Sequence, residues 1–269
     1  MTNIIDFPNV NELRDEVKIL RDKIIELAFD HDDLLAHKAI SVEAKYNDNF
    51  GLMEYKEMNL NLTYKKLKEE KRLIEEYLAK DEVIDFKYIS EVVSKKFVKD
   101  ENLLSEKLGR INDIYDFINH RSLSARDFMD LNKAYKKIIE KINPLVNPNI
   151  SEEEWDLYVK ASIAFTNHHL SFLTGLASML DNINLDDYFL FTPDLLYVEK
   201  KRLEAGIVTI NKKIEGLYDD YPLNLNIYLE DKRAFNKKKS VLENKIESLE
   251  VAIRTMEEEI KGKLESIND

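Results

Sequence analysis

Apolar side chains recur along most of this chain in alternating steps of four and three. From Leu13 the first seam runs through Val17, Leu20, Ile24, Leu27, His31 and Leu34. That spacing predicts a helix beginning near Asn9 or Asn11 that buries one narrow stripe. A second segment, from about Ser41 to Lys80, repeats every seven residues at Tyr46, Met53, Leu60, Leu67 and Ile74. Phe50, Tyr64 and Leu78 occupy the complementary row, which Glu57 and Lys71 interrupt. Two stripes joined by a short link predict an antiparallel helical hairpin. Residues 84–119 keep the helical period and are expected in two pieces.

Further on, punctuation sharpens the boundaries. Ser124 and Asp127 have capping-box spacing and predict a helix running to Ile142; Ser151 and Glu154 predict another, to about Asn167. Between them "NPLVNPNIS" ends the first helix, because proline cannot continue the hydrogen-bond ladder. A short helix is expected over about 169–181. Thr192 and Pro193 are expected as cap and first residue of the next one. Its stripe is Leu196, Leu203, Ile207, Ile210, Ile214 and Leu217. After "DDYPLNLN" a last helix carries Leu242, Ile246, Leu249, Ile253, Met256 and Ile260. These two stripes predict a C-terminal antiparallel hairpin, with an apolar groove on its open side for a partner helix or for self-association. The expected class is all-α, with long helical hairpins and coiled-coil-like helices flanking a helical centre. The expected regions are 1–104, 105–185 and 186–269.

Composition agrees with a helical chain. Of 269 residues, 44% are hydrophobic and 34% charged, with only 6 Gly and 5 Pro. Forty basic against 52 acidic residues give a net charge of −12, which argues against a global electrostatic grip on nucleic acid or an anionic membrane. The absence of cysteine excludes disulfides and thiolate metal sites and fits a reducing compartment. No apolar run reaches the length of a membrane span and no leader pattern opens the chain, so a cytoplasmic protein is expected.

Within 131–142, Leu131, Tyr135, Ile138 and Ile142 share one helical face, and Lys133, Lys136, Lys137 and Lys141 lie on the other. Asn143, Pro144, Leu145, Val146, Asn147 and Pro148 follow. This stretch resembles the second helix and loop of a J domain, the module of DnaJ-type co-chaperones. Lys133-Ala134-Tyr135-Lys136-Lys137-Ile138 matches the helix, and Pro144, Asn147 and Pro148 match the loop. Residues 123–127 resemble the entry to that helix. Tyr158, Ala161, Ala164 and Phe165 fall where the family packs its third helix. The resemblance covers about residues 105–180 and implies a compact helical pair that docks on a heat-shock chaperone. It departs from the family where the chemistry lies: Asn143 and Leu145 stand in place of the His and Asp of the family's His-Pro-Asp loop. The charge-assisted part of that interaction is therefore missing, and no stimulation of a chaperone ATPase is expected. Lys133, Lys136, Lys137, Lys141, Asn143, Pro144 and Leu145 remain the candidate partner-binding residues; without docking, the lysines are an ordinary solvated face.

Other chemistry is thin. His31-Asp32 is a dipeptide found in metal-dependent phosphohydrolases, but those need an upstream His, and none precedes His31. Such a hydrolase would need His31, His37 and acids from other helices to converge. Asp30, Asp32 and Asp33 read as solvated surface. Helical di-metal sites need Glu-x-x-His, yet Ala28, Leu34, Phe117, Phe165 and Thr166 stand three before the five histidines. His168-His169 reads as a helix terminus, and Trp155 as core. No phosphate loop or nucleophile elbow is present. The expectation is a non-enzymatic adaptor or scaffold without metal or cofactor, which binds protein partners, with no direct nucleic-acid or membrane binding; its hairpin seams are candidates for self-association or for cover by the N-terminal hairpin of the same chain, and the sequence does not decide the oligomeric state. An acidic nucleic-acid mimic is the other alternative, against which the intermixed lysines argue.

Overall fold

The computed structural model describes residues 10–120, 123–181 and 192–265; Asn9, one of the two expected helix starts, lies outside them. The fold is all-α, with no strand among the described residues. No described helix is long and apolar enough to cross a membrane. The helices are α1 (Val10–Asp33), α2 (Ala39–Tyr46), α3 (Leu52–Leu78), α4 (Phe86–His120), α5 (Ala125–Ile142), α6 (Glu152–Thr166), α7 (Leu170–Leu180), α8 (Pro193–Asp219), α9 (Ile227–Glu230) and α10 (Lys232–Glu265). Contacts divide the chain into two discontinuous units, Met1–Ser41 with Ile118–Asn224 and Val42–Phe117 with Leu225–Asp269. The three regions read from the sequence were consecutive stretches of chain.

The N-terminal hairpin expected between the first two stripes does not form. Two π-helical turns, Leu34–Lys38 and Asn47–Gly51, link α1 to α2 and α2 to α3. The residues flanking them, Asp33, Ala39, Tyr46 and Leu52, keep right-handed helical backbone, so the helix continues where a reversal was expected. Each π turn takes in an extra residue and shifts the phase of the apolar stripe, which imitates a break in the sequence pattern. Residues 84–119 were expected as two pieces; α4 is a single helix of 35 residues.

In the first unit, α1 and α8 lie side by side and run in the same direction. Lys200 meets Glu16 at 2.6 Å, and eight residues after Glu16, Ile24 lies against Gly206. A Cβ at position 206 would stand 2.7 Å from the δ-methyl of Ile24, so glycine there sets how closely the two helices approach. α5 buries Leu131, Ala134, Tyr135, Ile138, Ile139 and Ile142 against this pair, and α6 and α7 pack on α5. The three predicted caps form. Ser124 Oγ accepts from the Asp127 N–H, Ser151 and Glu154 close a capping box, and Thr192 accepts from the Leu195 N–H ahead of Pro193.

In the second unit, α4 runs antiparallel to α3: Lys66 pairs with Glu101, Glu69 with Lys96, and Glu54 with Lys107. α10 runs in the same direction as α3, because Glu54, Glu57, Lys71 and Glu75 meet Lys238, Lys245, Glu259 and Lys263 in order. Glu57 and Lys71, the two interruptions of the apolar row, are thus among the residues that pair with α10. Leu62, Leu73, Ile74, Ile89, Val93, Phe97 and Ile260 form one core, and Tyr46, Phe50 and Leu242 a second.

The expected pairing of Ile207–Leu217 with Leu242–Ile253 is therefore corrected. α8 packs on α1, and α10 packs on α3. Ile207 joins the core of the first unit, while Ile246 lines a shallow groove with Leu52 and Met53 in the second. A seam of this kind fixes which face of a helix is buried but not which helix covers it.

The packing yields a graded expectation. Ile24→Ala, at a fully buried position, should cost about 2–5 kcal/mol. Ile253→Ala should fall low in that range, and Ile246→Ala, at the half-open groove, should cost less than either. Urea unfolding of the three variants, followed by circular dichroism, checks the order.

Candidate partner-binding loop and helix

The loop after α5 is built by its asparagines. Asn143 Oδ1 accepts from the Leu145 N–H at 2.8 Å, and its amide donates to the Tyr158 hydroxyl at 2.8 Å. The Asn147 amide donates to the carbonyls of Glu140 and Lys141, at 2.8 and 2.9 Å, closing carbonyls that the end of α5 leaves without helical partners. Both asparagines are buried, Asn143 at only 5% exposure. Pro144 and Leu145 are half-buried, with Leu145 packed on the core.

Two arginines then tie the loop down. Arg21 of α1, itself buried, donates to Asn147 Oδ1 at 2.7 Å. Arg202 of α8 donates from its two terminal nitrogens to the carbonyls of Leu145 and Val146, both at 3.0 Å, while Glu199 holds the guanidinium at 2.7 Å. A planar fork that reaches two successive carbonyls is something lysine cannot supply. The sequence reading missed both arginines. Their available signal was Arg at the border of a heptad seam in a chain whose bases are mostly lysine.

The lysines of α5 do not form one free patch. Lys136 turns towards α1, 2.5 Å from Glu26 and 4.7 Å over the Phe29 ring. Lys137 pairs with Asp181 at 3.2 Å, and Lys133 stands 4.0 Å from Asp130. Lys133 and Lys137 border an open groove of about 570 Å³ walled by Leu170, Ser171, Thr174, Ala177 and Ser178 of α7. Lys141 is half-buried at the end of α5, where its carbonyl is held by Asn147.

Beneath the loop lies a polar network that the sequence did not reveal. Asp32 Oδ2 accepts from the hydroxyls of Tyr135 and Tyr158, each at 2.7 Å, and Oδ1 lies 3.0 Å from His31 Nδ1. Ser162 Oγ is 2.8 Å from the Tyr135 hydroxyl. The Tyr135 ring stacks on Phe165 at 4.1 Å and 8°. Asp32, expected as solvated surface, thus joins α1 to α5 and α6 and, through Tyr158 and Asn143, to the loop. Burial, followed by the neighbouring phenol and the Asp32 charge, pushes the Tyr135 phenol far above its ordinary range. Burial and the Asp32 charge do the same for Tyr158.

His31 and His37 face different carboxylates, Asp32 and Asp33. His37 Nδ1 lies 2.9 Å from Asp33, and its Nε2 donates to the Phe165 carbonyl at 3.1 Å. Among the described residues no group of three or more His, Asp or Glu is placed to hold a metal. His168 and His169 form the turn between α6 and α7, as expected of a helix terminus.

Trp155 corrects its expected place in the core: it is 46% exposed. With Val159 and Ile163 it makes an apolar row along the outer face of α6, while Ala161, Ala164 and Phe165 fill the inner face. Comparison with family models, with curated proteins and with solved structures finds no match.

Two expectations follow from the loop and its network. Asn143→Ala removes a donor to Tyr158 and the acceptor of the Leu145 N–H, and should cost about 1–3 kcal/mol. Lys133→Ala should stay within about 0.5 kcal/mol; denaturant midpoints of the two variants test the contrast. The second concerns alkali. Phenols whose folded pKa is raised stabilise the fold fully below pH 10, the ordinary tyrosine value. As pH rises above that value the unfolded chain ionises first, and stability falls by about 1.4 kcal/mol per pH unit for each such tyrosine. Tyr135→Phe should flatten that decline, which denaturant titrations through the alkaline range will measure.

Proposed function

We propose that this is a cytoplasmic, non-enzymatic protein-interaction molecule, an adaptor or scaffold, whose J-like centre does not stimulate a chaperone ATPase. The observation that carries the reading is the inward orientation of the loop. Where the J-domain family presents a charged loop to its partner, Asn143 here is buried, Leu145 packs on the core, and the carbonyls of Leu145 and Val146 are taken by Arg202. The chemistry at the family's contact point is spent on internal packing. Lys136 and Lys137, the centre of the matching basic face, are each paired with a carboxylate of the same unit. An exposed aromatic-aliphatic row on α6 supports protein binding by a different surface, since contiguous apolar residues left in water on a folded domain commonly mark an interface.

Single-turnover ATP hydrolysis by a cognate heat-shock chaperone, with and without the full chain, tests the first half of the proposal. No acceleration is expected, and a several-fold acceleration overturns it. Asn143→His with Leu145→Asp should not restore stimulation while Arg202 still clamps the loop. Affinity capture from native lysate with wild type and Ile163→Asp tests the second half. Specific protein partners are expected on the wild type, and recovery of none overturns the adaptor reading.

A further inference from the structure

α6 is apolar on both sides, and only one side is covered. Ala161, Ala164 and Phe165 are buried, yet Trp155, Val159 and Ile163, spaced by four, stand 46%, 39% and 57% exposed. A row of i, i+4 and i+8 side chains is the spacing with which one helix reads another. Trp is the residue type most enriched among those that dominate binding energy at interfaces. The capping box at Ser151 and Glu154 fixes the start of the helix, so the row stands on a rigid support.

Charge selects the kind of partner. Glu152 and Glu153 are exposed in the first turn, where the helix dipole favours acids. Asp156 lies beyond that turn, exposed directly beside Trp155, and the dipole gives no reason for it. Glu154 is committed to the cap, whereas Glu152, Glu153 and Asp156 enter no ion pair among the described residues. Lys160 is the single base on the exposed face. The row is thus apolar with an acidic border and an acidic excess.

We propose that the outer face of α6 docks a basic amphipathic helix of a partner protein, its apolar side on Trp155, Val159 and Ile163 and its lysines or arginines on Glu152 and Asp156. This deepens the protein-binding reading and rests on it, naming the surface and the chemistry of the partner.

The chain contains one tryptophan, so Trp155 emission reports on this face alone. The full protein is titrated with three Trp-free synthetic peptides: a Lys/Leu amphipathic helix, its Glu/Leu counterpart, and a Lys/Gln helix with no apolar side. The Lys/Leu peptide should give a saturable blue shift and shield Trp155 from acrylamide, with affinity falling as salt rises. The other two should not. Glu152→Lys with Asp156→Lys should weaken binding by about tenfold or more, because like charges then meet across the contact. Ile163→Asp should abolish it. Both are surface changes, and circular dichroism verifies that each variant is folded. Equal binding of the Lys/Leu and Glu/Leu peptides overturns the charge selection and leaves protein binding standing. No response to any peptide removes α6 as the docking face; if lysate capture also fails, the adaptor reading falls with it. Trp155 already shielded in the free protein overturns the proposal too: concentration-independent shielding assigns the face to the chain itself, and concentration-dependent shielding assigns it to a second copy.

Discussion

A partly buried carboxylate needs donors to replace the water it has lost, and the first unit is organised around one that has three of them. Asp32 accepts from Tyr135 on α5, from Tyr158 on α6 and from His31 on its own helix. Because Tyr158 also accepts from Asn143, the same carboxylate fixes the loop that ends α5. Moving any one of these helices would strand a buried phenol or the carboxylate. The apolar contacts around them supply most of the driving force, but they tolerate sliding. The hydroxyl-to-carboxylate bonds do not, so they set the register in which the apolar faces meet.

The second unit uses the same device in different hands. Glu54 accepts from Tyr46, Lys107 and Lys238, and so draws α4 and α10 to the start of α3. Buried Glu43 takes a two-pronged contact from Arg110, at 2.5 and 2.8 Å. Burial and the Glu54 carboxylate together push the Tyr46 phenol up to about 12. In each unit a long later helix lies parallel to an earlier one, and between α3 and α10 the ion pairs stay in step. Parallel neighbours cannot be joined by a short loop, so each pair must be closed by distant chain. Direction and offset then have to be specified by side chains, and the ladder from Glu54–Lys238 to Glu75–Lys263 does this.

That division of labour explains what could be read from the sequence. Helix identity was legible because periodicity and capping are local: Ser124, Ser151 and Thr192 mark their helix starts. The inner faces of α5 and α6 were legible for the same reason, and Tyr135, Ile138, Ala164 and Phe165 are all buried in one core. Pairing was not legible. Leu196, Leu203 and Ile207 would satisfy almost any narrow stripe, and α10 offered one close by in sequence. At the contact of α8 with α1 a glycine lies opposite Ile24 and a lysine opposite Glu16, and neither has a periodic signature. The π turns misled in the opposite sense, since a phase shift and a chain reversal look alike in a hydrophobic pattern. At the site, Lys133, Lys136, Lys137 and Lys141 were legible as residues of one polar face. Their separate fates were not, because these depend on Glu26 and Asp181, distant in sequence.

Asn143 and Trp155 both sit where local sequence gives no warning. An asparagine in a proline-rich loop looks exposed, and a tryptophan on an amphipathic helix looks buried. Asn143 is drawn inside because one amide side chain both donates to Tyr158 and accepts from the following backbone. Trp155 is left outside because alanines at 161 and 164 bring the inner face of α6 close to its neighbours, leaving the large side chains for the opposite face. The two side chains work in opposite senses on one small body. The first withdraws a loop from partners by giving it internal bonds. The second leaves an aromatic anchor in water, where its area is recovered only by another molecule or another segment. The loop between α5 and α6 is thus closed by its own hydrogen bonds, while the outer face of α6 keeps an apolar row in water.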